Sequence, residues 1–402
     1  MALASMISVQ DARARVLAGL TPTAAEIVPL AESCGRVTAA AIISRLSHPP
    51  QDVSAMDGYA VRAADADPRR VVGAAPAGHP WSGTLAAGQA VRLFTGSVVP
   101  DGADAVVLQE DTDRSDDNIT IREAIRPGQH IRRGGGDFAD GGLLVDAGTK
   151  LSPRHVGLIA AGNHAWVSVH RRPLVAILAT GDEIVLPGDP VGNGGIVSSN
   201  SHALSALVRA CGGIPMVLPI AGDDRSVISA AAKSATGADL LVTTGGASVG
   251  DHDLVAESLR SQGMVLDFWK VAMRPGKPLM HGMLGRLPLL GLPGNPVSAY
   301  ICAILFLKPA LEILCGLPGT PPATVSAVLD SPLSANDRRA DHMRCKLIQR
   351  DGQLVAVPLT HQDSGMIRML AEADGLILRA PHAPQVHAGE IVQVLRLDQM
   401  GL

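Results

Sequence analysis

Three glycine-rich or proline-rich turns close apolar runs in the second half of the chain: Gly245-Gly-Ala-Ser-Val-Gly-Asp-His-Asp253, Arg274-Pro-Gly-Lys-Pro278 and Gly291-Leu-Pro-Gly-Asn-Pro-Val-Ser-Ala299. Beside strand ends of an α/β sheet, small residues let backbone N–H groups approach an anion, and a following helix adds its positive end. The pattern predicts a phosphate-rich ligand. Gly246-Ala-Ser-Val-Gly250 also has the G-x-S-x-G spacing of a nucleophile elbow, with Ser248 as the nucleophile. The carboxylates of Asp251 and Asp253 crowd that position and favour a metal or a phosphate–metal complex over an acyl oxyanion. Hydrolase, phosphate cradle and plain tight turn all remain open at this stage.

Arg274 and Lys277 place two cations on one rigid turn, read either as a solvated charged turn or as a phosphate grip. No P-loop is present, because Gly276-Lys277 is followed by Pro278. Pro293 and Pro296 stiffen the turn before a helix predicted from about Val297, and Thr180-Gly-Asp-Glu183 follows the first strand of the same region, where ligands of such sheets collect. In the first half, Asp57-Gly58 by itself reads as a hairpin turn. Phe94-Thr95-Gly96 and Gly134-Gly-Gly-Asp137 add a hydroxyl, flexible backbone and a further carboxylate. The thirteen histidines have no ligand spacing, so no zinc site is inferred.

These residues need elements to hold them. Helical spacing covers Asp11 to Leu20 and continues over Ala31 to Ile43; short alternating runs such as Ala90 to Phe94 and Ala105 to Leu108 then predict a small β domain. Pro153 to Ala161 is a helix capped by Ser152. From Pro173 to about Leu317, continuous apolar strands alternate with amphipathic helices, which predicts a parallel sheet covered on both faces. After Pro318-Gly-Thr-Pro-Pro322, alternation predicts a small β barrel or sandwich. The boundaries expected are 1–44 with 142–172 (helical/mixed), 45–141 (inserted β), 173–319 (α/β) and 320–402 (β-barrel-like).

A net charge of −4 with 2 % aromatics excludes a broad nucleic-acid surface. The longest apolar stretch, Ala299 to Leu307, is too short for a bilayer. No signal peptide is read at the N-terminus, and the five dispersed cysteines are read as buried thiols. The expectation is a cytoplasmic protein with no membrane partner.

Taken together, Ser54-Ala-Met-Asp-Gly-Tyr-Ala-Val61, Phe94-Thr-Gly96, Pro100-Asp-Gly-Ala-Asp-Ala-Val-Val107, Arg132-Arg133 with Asp137, Thr180-Gly-Asp-Glu183 and the three turns above resemble, in order, the MoeA family of molybdopterin molybdenumtransferases, which includes the E domain of gephyrin. The resemblance implies a multidomain α/β protein. It would have a three-layer molybdopterin-binding domain with a parallel-rich sheet, two smaller mostly β domains and an elongated helical/mixed domain, assembled as a homodimer. It further implies insertion of molybdenum from molybdate into adenylylated molybdopterin, with Mg2+-assisted release of AMP. The adenylyltransferase of the same pathway and downstream molybdoenzymes would be contacts. Residue by residue, the catalytic set is Asp57, Asp137, Glu183 and Thr95, and the metal would be held by Asp253 and Glu183. Substrate would be bound by Ser248, Asp223, Lys270, Arg274, Lys277, Pro293 and Pro296, with Arg344 and Ser364 from the C-terminal domain. A carboxyl whose pKa is raised by like charges could supply protons for oxo release, and Asp57 is the first candidate. Gln51, Val53, Gly135-Gly136, Asp363 and Arg368 depart from the family pattern. A serine hydrolase on Ser248 and a non-catalytic, gephyrin-like scaffold are the rival functions.

Overall fold

The computed structural model of the chain describes residues 6–245, 254–398 and 400. It divides into two compact units, one comprising 27–34 and 38–168, the other 1–26, 35–37 and 169–402.

Helix α1 (Val9–Leu17) starts at Ser8, whose side chain accepts from the Asp11 N–H. The helix expected over Ala31 to Ile43 does not form. Gly35 sits at φ 79°, where no helix continues, and the Thr38 hydroxyl donates to Asp146 O at 2.7 Å, drawing the segment out into extended structure. Local spacing there lost to partners far along the chain.

The unit built around 38–168 contains a six-stranded sheet of β1 (Gly58–Val61), β2 (Arg69–Ala75), β3 (Gln89–Leu93), β4 (Ala105–Leu108), β5 (Thr112–Ser115) and β6 (Asn118–Ile121), in the order β4-β1-β3-β2-β6-β5. Alternation puts Tyr59, Val61 and Val107 in one buried cluster and Ala60, Val91 and Val106 in another. Helix α2 (Pro153–Ala161) has the expected cap, and Ser152 and His155 bond reciprocally.

In the other unit, β7 (Leu174–Ala179), α3 (Asn200–Ala210), β8 (Ile214–Val217), α4 (Arg225–Lys233), β9 (Leu240–Thr244) and α5 (Leu254–Ser261) alternate as expected. The strands β10 (Met264–Phe268), β11 (Met280–Leu284) and β12 (Leu287–Leu292) complete a sheet ordered β8-β7-β9-β12-β11-β10. It is mixed rather than wholly parallel. β8, β7, β9 and β12 run parallel, β11 lies antiparallel to β12 across the Gly285 turn, and β10 at the edge pairs antiparallel with β11. Val175, Ile177, Val242 and Leu290 fill one face, and Ala176, Leu178, Leu241 and Leu289 the other.

After β12 the chain is helical from Pro296 to Leu314, 19 residues and apolar enough to cross a membrane by composition, yet 78 % buried. Its side chains are the core of this unit, so the apolar run reads as a core helix. The C-terminal strands β13 (Thr324–Leu329), β14 (Ala340–Arg350), β15 (Gln353–Pro358), β16 (Gly375–Arg379) and β17 (Ile391–Arg396) close into a small barrel, since β14 pairs with both β15 and β16. Cys302 and Cys345 are buried, as the reading of buried thiols requires, but Cys34 is exposed.

Candidate functional site

A cleft of about 570 Å³ opens at the carboxyl ends of β7, β9 and β12, where open α/β sheets bind ligands. Its shape depends on two glycines. Gly181 has φ 136°, and a Cβ there would lie 2.5 Å from a Glu183 carboxylate oxygen. Gly245 has φ 95°, and a Cβ there would run into the Thr180 carbonyl. Asn200, the first residue of α3, staples the walls together: its Nδ2 donates to Thr244 Oγ1 and to Gly294 O, both at 2.8 Å. The Thr180 hydroxyl is buried without a partner.

Glu183, Pro293 and Pro296 line this cleft as the sequence leads one to expect. Ser364 joins it indirectly: its Oγ accepts from Asn295 Nδ2 at 3.0 Å, its carbonyl accepts from Val297 N–H at 3.1 Å, and the neighbouring Gly365 lines the wall. The barrel thus completes a site begun by the α/β sheet.

Other assignments change. Arg274 does not line the cleft; its strand pairs with β14 in register with Asp341, and its guanidinium is engaged by Asp341, with Asp337 3.6 Å away. That pairing raises the Arg274 pKa, and the guanidinium, on a side chain 46 % exposed, is shared with the two carboxylates. Lys270 and Lys277 are half-buried and also lie off the cleft. Arg344 is only 1 % exposed. Its guanidinium donates to the carbonyls of His361 (3.2 Å), Asp363 (2.9 Å) and Met366 (3.3 Å), so it shapes the loop that carries Ser364 instead of facing a ligand. Burial lowers its pKa. Asp223 is exposed and does not line the cleft; its N–H donates to Asp182 Oδ1 at 2.9 Å. Ser248 and Asp253 lie outside the described residues, and among the described residues no group of three potential metal ligands occurs.

In the other unit, Asp57 and Thr95 are joined. Asp57 Oδ1 accepts from both the Thr95 N–H and the Thr95 hydroxyl at 2.8 Å. Asp57-Gly58 therefore opens a strand instead of turning a hairpin, and a Cβ on Gly58 would collide with the Val107 carbonyl. The Thr95 N–H, then its hydroxyl, hold the Asp57 pKa below the ordinary carboxylate value, with Arg92 adding to the effect. The expected rise is overturned: among the described residues the groups that act on this carboxyl are two Thr95 donors and Arg92, all of which lower its pKa. Asp137 is exposed, and its N–H donates to His48 O at 3.0 Å.

Three positioning residues escaped the sequence reading. Arg92 stacks between the rings of Tyr59 and Phe94, 5.2 and 5.0 Å from their centroids, and donates to Gly58 O at 2.8 Å. Asp52 accepts from Gly134 N–H at 2.8 Å and pairs with Arg133. Asn200 is the third; Ser-Ser-Asn-Ser before a helix signals only a cap.

Known proteins match this arrangement along its length. The family description "MoeA N-terminal region (domain I and II)" matches residues 7–162, "Probable molybdopterin binding domain" 176–313 and "MoeA C-terminal region (domain IV)" 326–397. Molybdopterin molybdenumtransferase 2 of Mycobacterium tuberculosis (strain ATCC 25618 / H37Rv) is 37 % identical, over 97 % of this chain and 99 % of its own. The chain belongs to the MoeA family. Within the family, molybdopterin molybdenumtransferase of Nostoc sp. is 35 % identical over 92 % of this chain and 88 % of its own. A crystal structure of molybdopterin biosynthesis MoeA protein from Pyrococcus horikoshii OT3 superposes with a TM-score of 0.78 at 28 % identity, covering 97 % of this chain and 99 % of that one. The cleft lies mainly in the segment that matches the molybdopterin-binding description, with Gly365 added from the segment that matches domain IV. Neither the serine hydrolase nor the scaffold finds support in these matches.

Proposed function

We propose that this chain is a molybdopterin molybdenumtransferase of molybdenum cofactor biosynthesis, a transferase that takes molybdenum from molybdate onto adenylylated molybdopterin and releases AMP. The observation that carries the reading is the cleft at the parallel strand ends, inside a chain matched from end to end by MoeA relatives. The net reaction balances in two steps. Water cleaves the phosphoanhydride to give AMP, and the two dithiolene thiols displace one oxo ligand of molybdate, their protons leaving with it as water. The substrate's own thiols supply these protons, so Asp57 is not required as an acid. Held ionised by Thr95, it is an acceptor able to orient a donor or take a proton. Asp137 is its companion carboxylate on the same unit.

Lys277 and Lys270, which lie off the cleft, are assigned to the substrate phosphates beyond it, and Asp223 to the substrate as well. Magnesium, which the resemblance implies, is fitted poorly by the described residues: the cleft offers the single carboxylate of Glu183, flanked by Ile184, Ile196 and Val197. A cytoplasmic homodimer of four parts per subunit, divided as the sequence suggests, is the assembly we infer, with the adenylyltransferase handing on its product. The test is complementation. Expression in a molybdenumtransferase-deficient strain should restore nitrate reductase activity, and purified protein should release AMP from adenylylated molybdopterin only when molybdate is present. Failure of both refutes the function.

A further inference from the structure

Apart from Glu183, every described side chain that lines the cleft is uncharged. A phosphate placed there would meet the Glu183 carboxylate and no described cation, a repulsion that the partial charge at the α3 N-terminus offsets only in part. The walls suit a different part of the substrate. Ile196 and Val197 are exposed at 57 % and 41 %, an apolar surface left open to solvent, and Pro278, Pro293 and Pro296 also line the cleft. Covering such surfaces with a ring removes apolar area from water. Polar groups at the site are weighted toward acceptors. Asn200 spends both Nδ2 hydrogens on Thr244 and Gly294, leaving its Oδ1 without a described donor, and the carboxylate of Glu183 accepts no described hydrogen bond. The partnerless Thr180 hydroxyl marks one polar point of the wall.

A ring edge made of two adjacent N–H donors fits this set. The aminopyrimidinone edge of a pterin has that form, with its N3–H and 2-amino group side by side, and a carboxylate accepts from both as it does from a guanidinium. Adenine presents one donor next to a lone pair, which a carboxylate repels. We propose that Glu183 is the specificity-determining residue that reads the aminopyrimidinone edge of the pterin in this cleft, the phosphates lying outside it. The inference rests on the transferase reading above. It gives Glu183 a role in recognition that needs no metal, and it accounts for Gly181, whose missing Cβ leaves the carboxylate its place.

Fluorescence titration in EDTA tests the assignment with 6-hydroxymethylpterin, the matching lumazine (oxygen in place of the 2-amino group) and AMP. Glu183→Gln should weaken the pterin by about tenfold or more, equivalent to about 1.4 kcal/mol per tenfold step. It should leave AMP and the already weaker lumazine unchanged. Glu183→Asp, which keeps the carboxylate on a shorter arm, should fall between, with unfolding midpoints confirming that both variants are folded. Unchanged pterin binding in the Gln variant, equal loss for pterin and lumazine, loss confined to AMP, or no pterin binding by the unsubstituted protein would each overturn the proposal. Complementation separates the two readings: if the unsubstituted chain restores nitrate reductase, any of these outcomes removes the pterin subsite alone.

Discussion

Removing the Arg344 guanidinium should loosen one wall of the cleft without unfolding the protein. Arg344 donates to three loop carbonyls, and its Nε reaches Gln362 Oε1 at 3.3 Å. Only the bond to Asp363 O, at 2.9 Å, has full strength; the others are long. Hydrogen bonds to a charged group contribute about 1.5–3 kcal/mol each when well made. Against this, Arg344→Met removes a buried charge whose desolvation costs several kcal/mol, and the freed carbonyls on an exposed loop can be hydrated. The net loss should be no more than about 2 kcal/mol, confined to residues 361–366. Ser364 would then release Asn295 and the Val297 N–H, and Gly365 would leave the wall. Pterin affinity should fall about tenfold, the equivalent of about 1.4 kcal/mol. Amide hydrogen exchange reports the loop directly, since Gly365 N–H is bonded to Asp363 Oδ1 at 2.8 Å. Arg344→Lys should be intermediate, because an ammonium cannot span the same carbonyls as a planar fork. An Arg344→Met protein with normal protection at 361–367 and normal affinity would refute the loop-positioning role.

Four further outcomes are expected. His342 is buried with its pKa pushed down to about 4, so stability should be complete above its ordinary value near 6.5 and fall as pH drops from there to about 4, by about 3 kcal/mol in all; denaturant unfolding from pH 7 to 4 checks this against His342→Gln, which should flatten the slope. Asp57 has a lowered pKa, so the pH–rate profile should carry no ionisation from it above the ordinary carboxylate range, and Asp57→Asn should abolish AMP release with the protein folded; an acid limb near pH 6 in the unsubstituted protein, or normal AMP release by the variant, would contradict this. Arg274→Ala removes an ion pair whose arginine is 46 % exposed, so stability should drop by no more than about 1 kcal/mol by thermal unfolding; a loss several times larger would mean the pair organises the whole turn. Thiol reagents should modify Cys34 in the native protein and spare Cys345, whose pKa burial pushes up to about 12; equal labelling of both would refute the burial pattern.

Local signals in the sequence determined much of this protein. The cap at Ser152, the strand from Leu174 to Ala179 and the alternation of β13 and β17 depend on neighbours within a few residues, and the structure has them where the spacing puts them. The ordered turns were sufficient to bring out the family, and the cleft falls at strand ends that they flank. Tertiary structure decided what depends on distant partners. Ala31 to Ile43 has helical spacing, but Thr38 is bonded to residues more than a hundred positions away, and those bonds prevail over weak propensity. Arg274 looks like a phosphate ligand until β14 brings Asp341 against it, and Arg344 until the barrel buries it beneath its own loop. The Asp57 pKa could not be signed from its type, because the sign follows from which groups face the carboxylate, and Thr95 is placed there only by the pairing of β1 with β3. Sequence named the charged residues; the fold determined which of them remain open to a ligand.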